Sequence, residues 1–254
     1  MAEEEMKDRV VFITGGNSGI GLETALLFAE QGTHVVIFSR RERENTIART
    51  MVEAKDVSCL TICGDVSIER EVELGLEKVY EKFGRLDYAF NNAGVEQKPK
   101  LLYEQSEKEY NHIMDVNLKG VWACMKHEIP IMMENGGGMI VNNSSVTGIV
   151  GSDRLAAFVA AKHAVVGLTK AAALEYAYAN IRVNAICPAG VDTPMLDRII
   201  GEDPLTRDAV NDYHPLHRCA NPREIAESVL WLCSNRASFV TGHALVIDGG
   251  ASIR

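Results

Sequence analysis

The run Thr14-Gly15-Gly16-Asn17-Ser18-Gly19-Ile20-Gly21 joins a short apolar stretch, Val10–Thr14, to an amphipathic one that starts at Gly19. Glycines let a chain turn sharply and bring its backbone against a pyrophosphate, and the N–H groups opening a helix stabilise that charge. Such a turn alone says little, but set between a strand and a helix it is a dinucleotide-binding fingerprint. The second apolar stretch then ends in Phe38-Ser39-Arg40-Arg41. An NAD(H) site calls for a carboxylate here to grip the ribose 2′-hydroxyl. A small hydroxyl followed by guanidinium groups suits a 2′-phosphate, through charge-assisted hydrogen bonds. These residues predict NADP(H) ahead of NAD(H). The competing reading of Arg40 and Arg41 is a solvated helix start.

Other reactive side chains carry less. His214 and His217 stand close enough to suggest a metal pair, but no third ligand cluster accompanies them and no metal is expected. The six cysteines form no CxxC pair. Cys59 and Cys63 fall on one face of a strand, about 13 Å apart at ~3.3 Å per residue, too far for a disulfide. All six are expected to be reduced packing residues, which fits a cytoplasmic setting. Asp153 and Arg154 precede a long helix. They suit a helix start whose acid meets the dipole, or contacts to a polar substrate.

These residues need a scaffold, and the hydropathy pattern supplies one. Val10–Thr14, Thr33–Ser39, Val57–Gly64, Leu86–Asn91, Gly138–Ser144, Ile181–Cys187 and His243–Ile247 read as buried strands, rich in Val and Ile and bounded by Gly, Asn, Asp or Pro. Helical stretches fall between them at Gly19–Glu30, Arg43–Ala54, Ile68–Phe83, Tyr110–Met133, Ser152–Tyr178 and Pro222–Ser234. Strand–helix alternation of this kind predicts an α/β, Rossmann-type doubly wound fold, with a mainly parallel seven-stranded sheet between two helix layers. The irregular stretch Val191–Pro215 would lie at the ligand edge of that sheet, as a substrate lid or an ordinary surface excursion.

With 254 residues and no composition break, the chain reads as one domain over residues 1–254. No window approaches 18 uninterrupted apolar residues, so no membrane span is expected. The acidic start Met1-Ala2-Glu3-Glu4-Glu5 holds no signal-peptide core. A net charge of −9 argues against nucleic acid as a partner.

In order along the chain stand Thr14–Gly21, Asp65-Val66, Asn91-Asn92-Ala93-Gly94, Val116-Asn117, Asn143-Ser144-Ser145, Lys162, Pro188–Thr193, Thr241-Gly242 and Asp248-Gly249-Gly250. With these motifs the sequence resembles the short-chain dehydrogenase/reductase family over nearly its whole length. The resemblance implies a cofactor wall made by Gly15, Asn17, Ser18, Gly19, Ile20 and Gly21, with Ser39, Arg40 and Arg41 at the ribose. It implies that Asp65, next to Val66, holds the adenine, and that Asn92, Ala93 and Gly94 line the adenosine side. Lys162 would bond the nicotinamide ribose, while Pro188, Gly190, Val191 and Thr193 would frame the carboxamide. Where the family usually reads Pro-Gly, this chain reads Pro188-Ala189-Gly190, with the glycine one place late.

The family's chemistry uses Asn, Ser, Tyr and Lys to move one proton as a hydride moves to or from a carbonyl carbon. By resemblance Asn117, Ser145 and Lys162 fill three of these roles, with Ser144 packing beside Ser145. The fourth is altered. Four positions before Lys162, and thirteen after Ser145, stands Phe158. Four residues along a helix keep Phe158 and Lys162 on one face, so the geometry is kept and the phenol is lost. A missing general acid costs about 10²–10⁴-fold in rate.

Three explanations remain open. One is a deliberate Tyr→Phe replacement that traps a complex in an ordinary ketone or secondary-alcohol reductase. Another is a natural iminium substrate, which becomes a neutral amine on receiving hydride alone. The third is a catalytically silent cofactor-binding protein. The resemblance further implies a homotetramer. Its dimer faces would be the helix carrying Trp122, Met125, Met132 and Met133 and the one carrying Ala171-Ala172-Ala173, and the last strand would complete the tetramer.

Overall fold

The computed structural model describes residues 3–201 and 204–253. Seven strands form its sheet: β1 (Val10–Thr14), β2 (His34–Ser39), β3 (Cys59–Cys63), β4 (Tyr88–Asn91), β5 (Gly138–Asn143), β6 (Ile181–Pro188) and β7 (Ala244–Ile247). Their order is β3-β2-β1-β4-β5-β6-β7, and every neighbouring pair is parallel. The helices are α1 (Glu3–Met6), α2 (Gly19–Glu30), α3 (Glu42–Glu53), α4 (Glu69–Phe83), α5 (Glu107–Met114), α6 (Gly120–Glu134), α7 (Ala156–Tyr176), α8 (Pro194–Ile200), α9 (Pro204–Asp212) and α10 (Pro222–Cys233).

Side-chain alternation along β1 and β2 sorts the core into two halves. Phe12, Val36 and Phe38 pack under α4, α6 and α7, with Leu76, Met125 and Val165. Val11, Ile13, Val35 and Ile37 pack under α2, α3 and α10, with Phe28, Val52 and Val229. Both faces are covered, which is why β1 is an unbroken apolar run with every residue buried. Winding runs from β1 out to β3 and then returns to β4 on the other side of β1, so a crevice opens beyond the carboxyl ends of β1 and β4.

Several expectations are corrected. The single helix expected over Tyr110–Met133 is α5, a π-helical turn (Asp115–Lys119) and α6. It starts earlier than expected because Ser106 and Glu109 form a reciprocal capping box. Helix α7 begins at Ala156 rather than Ser152, since Arg154 adopts a left-handed φ of 60° that a helix cannot contain. Asp153 is therefore an exposed turn residue and not part of the first helical turn. The Val191–Pro215 stretch is not irregular: it carries α8 and α9, each opened by a proline at a helix start, where its missing N–H costs nothing. Glu202 and Asp203 of that stretch, like Met1 and Ala2, lie outside the described residues.

Cys63 is exposed, with its thiol 3.3 Å from the Arg40 carbonyl, while the other five cysteines are buried. Met125 and Met132 belong to the core, and Trp122 and Met133 are the members of that group that face outward. The segment Ala156–Ala179 is apolar enough by length and composition to cross a bilayer. Its inner face, including Ala161, Val165 and Ala172, is nonetheless packed in the core of this fold.

Beneath the crevice, α6 buries Glu128 completely. Its Oε2 accepts from Asn91 Nδ2 at 3.1 Å, and the same Nδ2 donates to Asn142 Oδ1. Asn142 in turn donates to Thr169 of α7 at 2.9 Å, so one polar thread joins β4, β5, α6 and α7. Burial pushes the Glu128 carboxyl up to about 8, and the Asn91 bond offsets only part of that. A carboxyl whose folded value exceeds the usual 4.5 binds its proton more tightly in the native state. Stability is then lost as pH rises from about 4.5 towards about 8. Glu128→Gln should abolish this component, so the gap in Tm between variant and wild type should widen in the variant's favour across that interval. Parallel Tm–pH curves would refute the assignment.

Candidate active site

At the carboxyl end of β1 the backbone turns through Gly15 and Gly19, with φ of 64° and 53°. A Cβ on Gly21 would lie 2.4 Å from the Gly15 carbonyl, so the helix packs on the turn only with glycine there. Ser18 opens α2 without a side-chain capping bond, leaving the first N–H groups of the helix free of a side-chain partner, as an anion site requires. The turn is tied to β4: Thr14 Oγ1 accepts from the Asn92 and Ala93 N–H groups at 2.9 and 3.0 Å, and Asn92 Nδ2 donates to the Thr14 carbonyl.

A cleft of about 510 Å³ runs along this edge. Of the residues expected to bind cofactor, Gly15, Asn17–Ile20, Ser39–Arg41, Asp65, Val66, Asn92–Gly94 and Thr193 line it. Gly21 sits behind the turn, and Pro188, Gly190 and Val191 lie outside the wall. Val191 buries its side chain, and its carbonyl accepts from Thr193 Oγ1. At the ribose end, Arg41 donates to Asn17 Oδ1 and Ser18 Oγ at 3.0 and 2.9 Å. Arg40 reaches Asp65 at 3.4 Å. Burial alone would raise the Asp65 carboxyl, but the Ser67 N–H and hydroxyl and the Arg40 charge outweigh it and hold it below its ordinary value. Both guanidinium groups stay largely exposed and able to turn toward an anion.

Lys162 reaches the edge from α7. It is 5% exposed, and its Nζ donates to the Asn143 carbonyl at 2.7 Å. Burial pushes the ammonium down to about 8, which leaves it able to hold or release a proton near neutrality. Ser144 Oγ donates to the Lys162 carbonyl, fixing the helix against β5. Ser145 caps the short turn Val146–Gly148 by accepting from Thr147 N–H at 3.2 Å. Asn117 lies in the π-helical turn with both side-chain atoms bonded to the Val95 backbone, at 2.9 and 3.0 Å. A Cβ on Gly94 would lie 2.9 Å from Asn117 Oδ1 and 3.9 Å from Lys162 Nζ, so the three residues meet at one point.

Phe158 is half-buried against Ile113, Ala157 and Ala161. Its ring centroid lies 5.6 Å from Lys162 Nζ, within cation–π range. The ring therefore faces the lysine and does not turn into the sheet core.

The loops after β4 and β6, expected to shape the pocket, supply several further contacts at this edge. Gln97 accepts from the Phe158 N–H at 2.8 Å and lies 3.4 Å from the Arg154 carbonyl as donor, capping α7 in place of Leu155, which has no capping side chain. Glu96 pairs with Arg198 of α8 through two bonds, at 2.8 and 3.1 Å, across the mouth of the cleft. Lys98, His112 and Met195 also line it. Among the described residues no three His, Cys, Asp or Glu come together as a metal-binding group.

Residues 15–252 match the family model described as enoyl-(acyl carrier protein) reductase. An A-factor type gamma-butyrolactone 1′-reductase of Streptomyces virginiae is 41% identical, over 98% of this chain and 97% of that protein. The chain belongs to the short-chain dehydrogenase/reductase family. Levodione reductase of Leifsonia aquatica is 40% identical over 96% of this chain and 94% of that protein. A levodione reductase crystal structure superposes with a TM-score of 0.93 at 37% identity, over 97% and 98% of the two chains. A 3-ketoacyl-(acyl-carrier-protein) reductase from Brucella melitensis, solved with NADH, gives 0.91 at 34%, over 98% and 100%. In this short-chain dehydrogenase/reductase, the seven-stranded parallel sheet agrees with the fold of its structural neighbours.

The Gln97 cap is open to test. Gln97→Ala leaves the Phe158 N–H without its acceptor, and loss of a cap costs about 1 kcal/mol. Hydrogen exchange at the Phe158 amide should accelerate while the amides of β1 keep their protection. Unchanged exchange at Phe158 would show that Gln97 does not hold the helix.

Proposed function

We propose that this chain is an NADP(H)-dependent oxidoreductase of small ketones or secondary alcohols, slowed by Phe158. The observation that carries this reading is the meeting, on one sheet edge, of the glycine turn, the Arg40–Arg41 pair and a buried lysine. The cleft fits a dinucleotide: the left-handed glycines make a concave backbone at a helix start, and Gly94 leaves open the space in front of Asn117 and Lys162. Gly15 and Asn17–Gly21 would cradle the pyrophosphate. Ser39, Arg40 and Arg41 would hold the 2′-phosphate, in preference to the bare hydroxyl of NAD(H). Asp65 and Val66 would flank the adenine, and Asn92–Gly94 the adenosine side. Pro188, Gly190, Val191 and Thr193 would frame the carboxamide.

A bound nicotinamide dinucleotide supplies or accepts the hydride. Lys162 would hold the nicotinamide ribose, its charge sustained by the Asn143 carbonyl. Ser145 would donate to the substrate oxygen, and Asn117 would hold the Val95 backbone and with it the floor of the pocket. Phe158 has no proton to give, so the oxygen must take its proton from a slower donor. An iminium substrate needs none, and Phe158 itself favours that second reading. Trp122, Met133, Leu174, Phe239 and Ile253, exposed on α6, α7 and near β7, favour a homotetramer, and the chain would work in the cytoplasm.

Two measurements test these assignments. Phe158→Tyr should raise ketone-dependent NADPH oxidation by about 10²–10⁴-fold. No gain, with turnover of cyclic imines by the wild type, selects the iminium reading. No turnover by either form selects a silent cofactor-binding protein. Separately, Arg40→Ala combined with Arg41→Ala should cut the NADPH-to-NADH affinity ratio by at least roughly tenfold. An unchanged ratio removes the 2′-phosphate assignment.

A further inference from the structure

Residues Gly190–Thr193 leave β6 at the edge where the nicotinamide end of the cofactor would lie, and something must fix their position. On one side they pair with Ala220: its N–H donates to the Gly190 carbonyl, and the Asp192 N–H donates to the Ala220 carbonyl, each at 2.9 Å. On the other side stands His214, 2% exposed. Its Nε2 accepts from the Gly190 N–H at 3.0 Å, and its Nδ1 lies 2.9 Å from the carbonyl of Val210, on α9. A carbonyl only accepts, so Nδ1 carries the hydrogen. A backbone N–H only donates, so Nε2 carries none. The two bonds together require a neutral imidazole in a single tautomer.

The imidazole lies against bare backbone. A Cβ on Gly190 would fall 2.8 Å from His214 Cε1 and 3.0 Å from Cys219 Sγ. This accounts for the glycine that stands one place late in Pro188-Ala189-Gly190: the histidine needs it there. We propose that His214 is a positioning residue that holds the carboxamide-binding segment Gly190–Thr193 in register with α9 and so sets affinity for the nicotinamide half of the cofactor. The inference rests on the proposed dinucleotide site but assigns a role that site does not require. Without the Nε2 acceptor the partly buried Gly190 N–H is left unpaired, and Val191 and Thr193 lose their fixed placement.

The test separates the two halves of the cofactor. Dissociation constants are measured for NADPH or NADH, whichever the wild type binds more tightly. They are set against those for the matching fragment that lacks nicotinamide, adenosine 2′,5′-bisphosphate or ADP. His214→Asn keeps a donor near Val210 but cannot reach Gly190, whereas His214→Gln restores an acceptor at about the right length. The Asn variant should bind the whole dinucleotide roughly tenfold more weakly and the fragment as tightly as before, and the Gln variant should recover most of the loss. Variants that match wild type for the dinucleotide, or that lose affinity for both ligands alike, overturn the proposal while the cofactor reading stands. Wild-type protein that binds neither dinucleotide sinks both. In wild type, imidazole ¹⁵N NMR should show an unprotonated Nε2, and a protonated Nε2 overturns the proposal whatever the variants do.

Discussion

Side-chain hydrogen bonds run across the carboxyl ends of three strands and finish at the lysine. Thr14 of β1 receives the N–H groups of Asn92 and Ala93, just past β4. Asn92 receives Asn143 Nδ2 of β5 at 2.9 Å, and the Asn143 carbonyl receives Lys162. Every link joins neighbouring strands or the helix that packs on them, so the distance from glycine turn to lysine is set by the spacing of the sheet, about 4.8 Å per strand. A desolvated ammonium is costly unless paired, and here its partner is a carbonyl already locked by the same chain. The turn and the lysine thus cannot shift independently. A second polar thread, Glu128–Asn91–Asn142–Thr169, lies deeper in the same strands and binds α6 and α7 to them. Buried networks of this kind are stiff because any break strands a polar group where water does not reach it.

What could be read from residue order was whatever depends on local pattern. β1 and α2 fall where expected, to the residue, because a strand covered on both faces is a continuous apolar run and the glycine motif marks its end. The remaining strands are found with small errors at their ends, where pairing with a neighbour decides the last residue. The break between α5 and α6 left no trace in Tyr110–Met133, since it depends on Asn117 bonding the Val95 backbone across the crevice. Pro194 and Pro204 suggested interruption, although Thr193, accepting from the Leu196 N–H as the helix N-cap, makes Pro194 a helix opening. Gln97 was invisible because its partner Phe158 lies 61 positions away. His214 was weighed as a metal ligand, and its actual partners are backbone groups, which no side-chain pattern records.

The family's motifs carried the site further than periodicity could. Ser145, Asn117, Phe158 and Lys162 come from two separate elements, the π-helical turn and α7, and from the loop after β5, and spacing along the chain cannot bring them together. Their convergence needs the sheet order, with β4 beside β1 and β5 beside β4. The stretch after β6 is the converse case. Its motif, Pro188–Thr193, was recognised, but its support comes from α9 and Ala220, which the same motif does not mention.

Phe158 shows how a fold and its chemistry can be uncoupled at one atom. Its backbone N–H is satisfied by Gln97, its ring packs on Ile113 and Ala161, and its face lies near the Lys162 ammonium. None of these contacts uses a phenolic oxygen, so the scaffold has no need of one. The electrostatics differ more. A phenol beside a desolvated ammonium can share its proton with it, whereas a benzene ring offers only its quadrupole. With burial holding the ammonium at about 8, Lys162 can bear charge near neutral pH, but Phe158 offers it no hydroxyl through which to pass a proton. Ser145, accepting from Thr147 and 3.5 Å from the Pro188 carbonyl, is then the one hydroxyl among the residues expected to be catalytic. On the proposed reading, binding of cofactor and delivery of a proton have become separate properties of this site, and the demands of the substrate decide whether that separation is a defect or a specialisation.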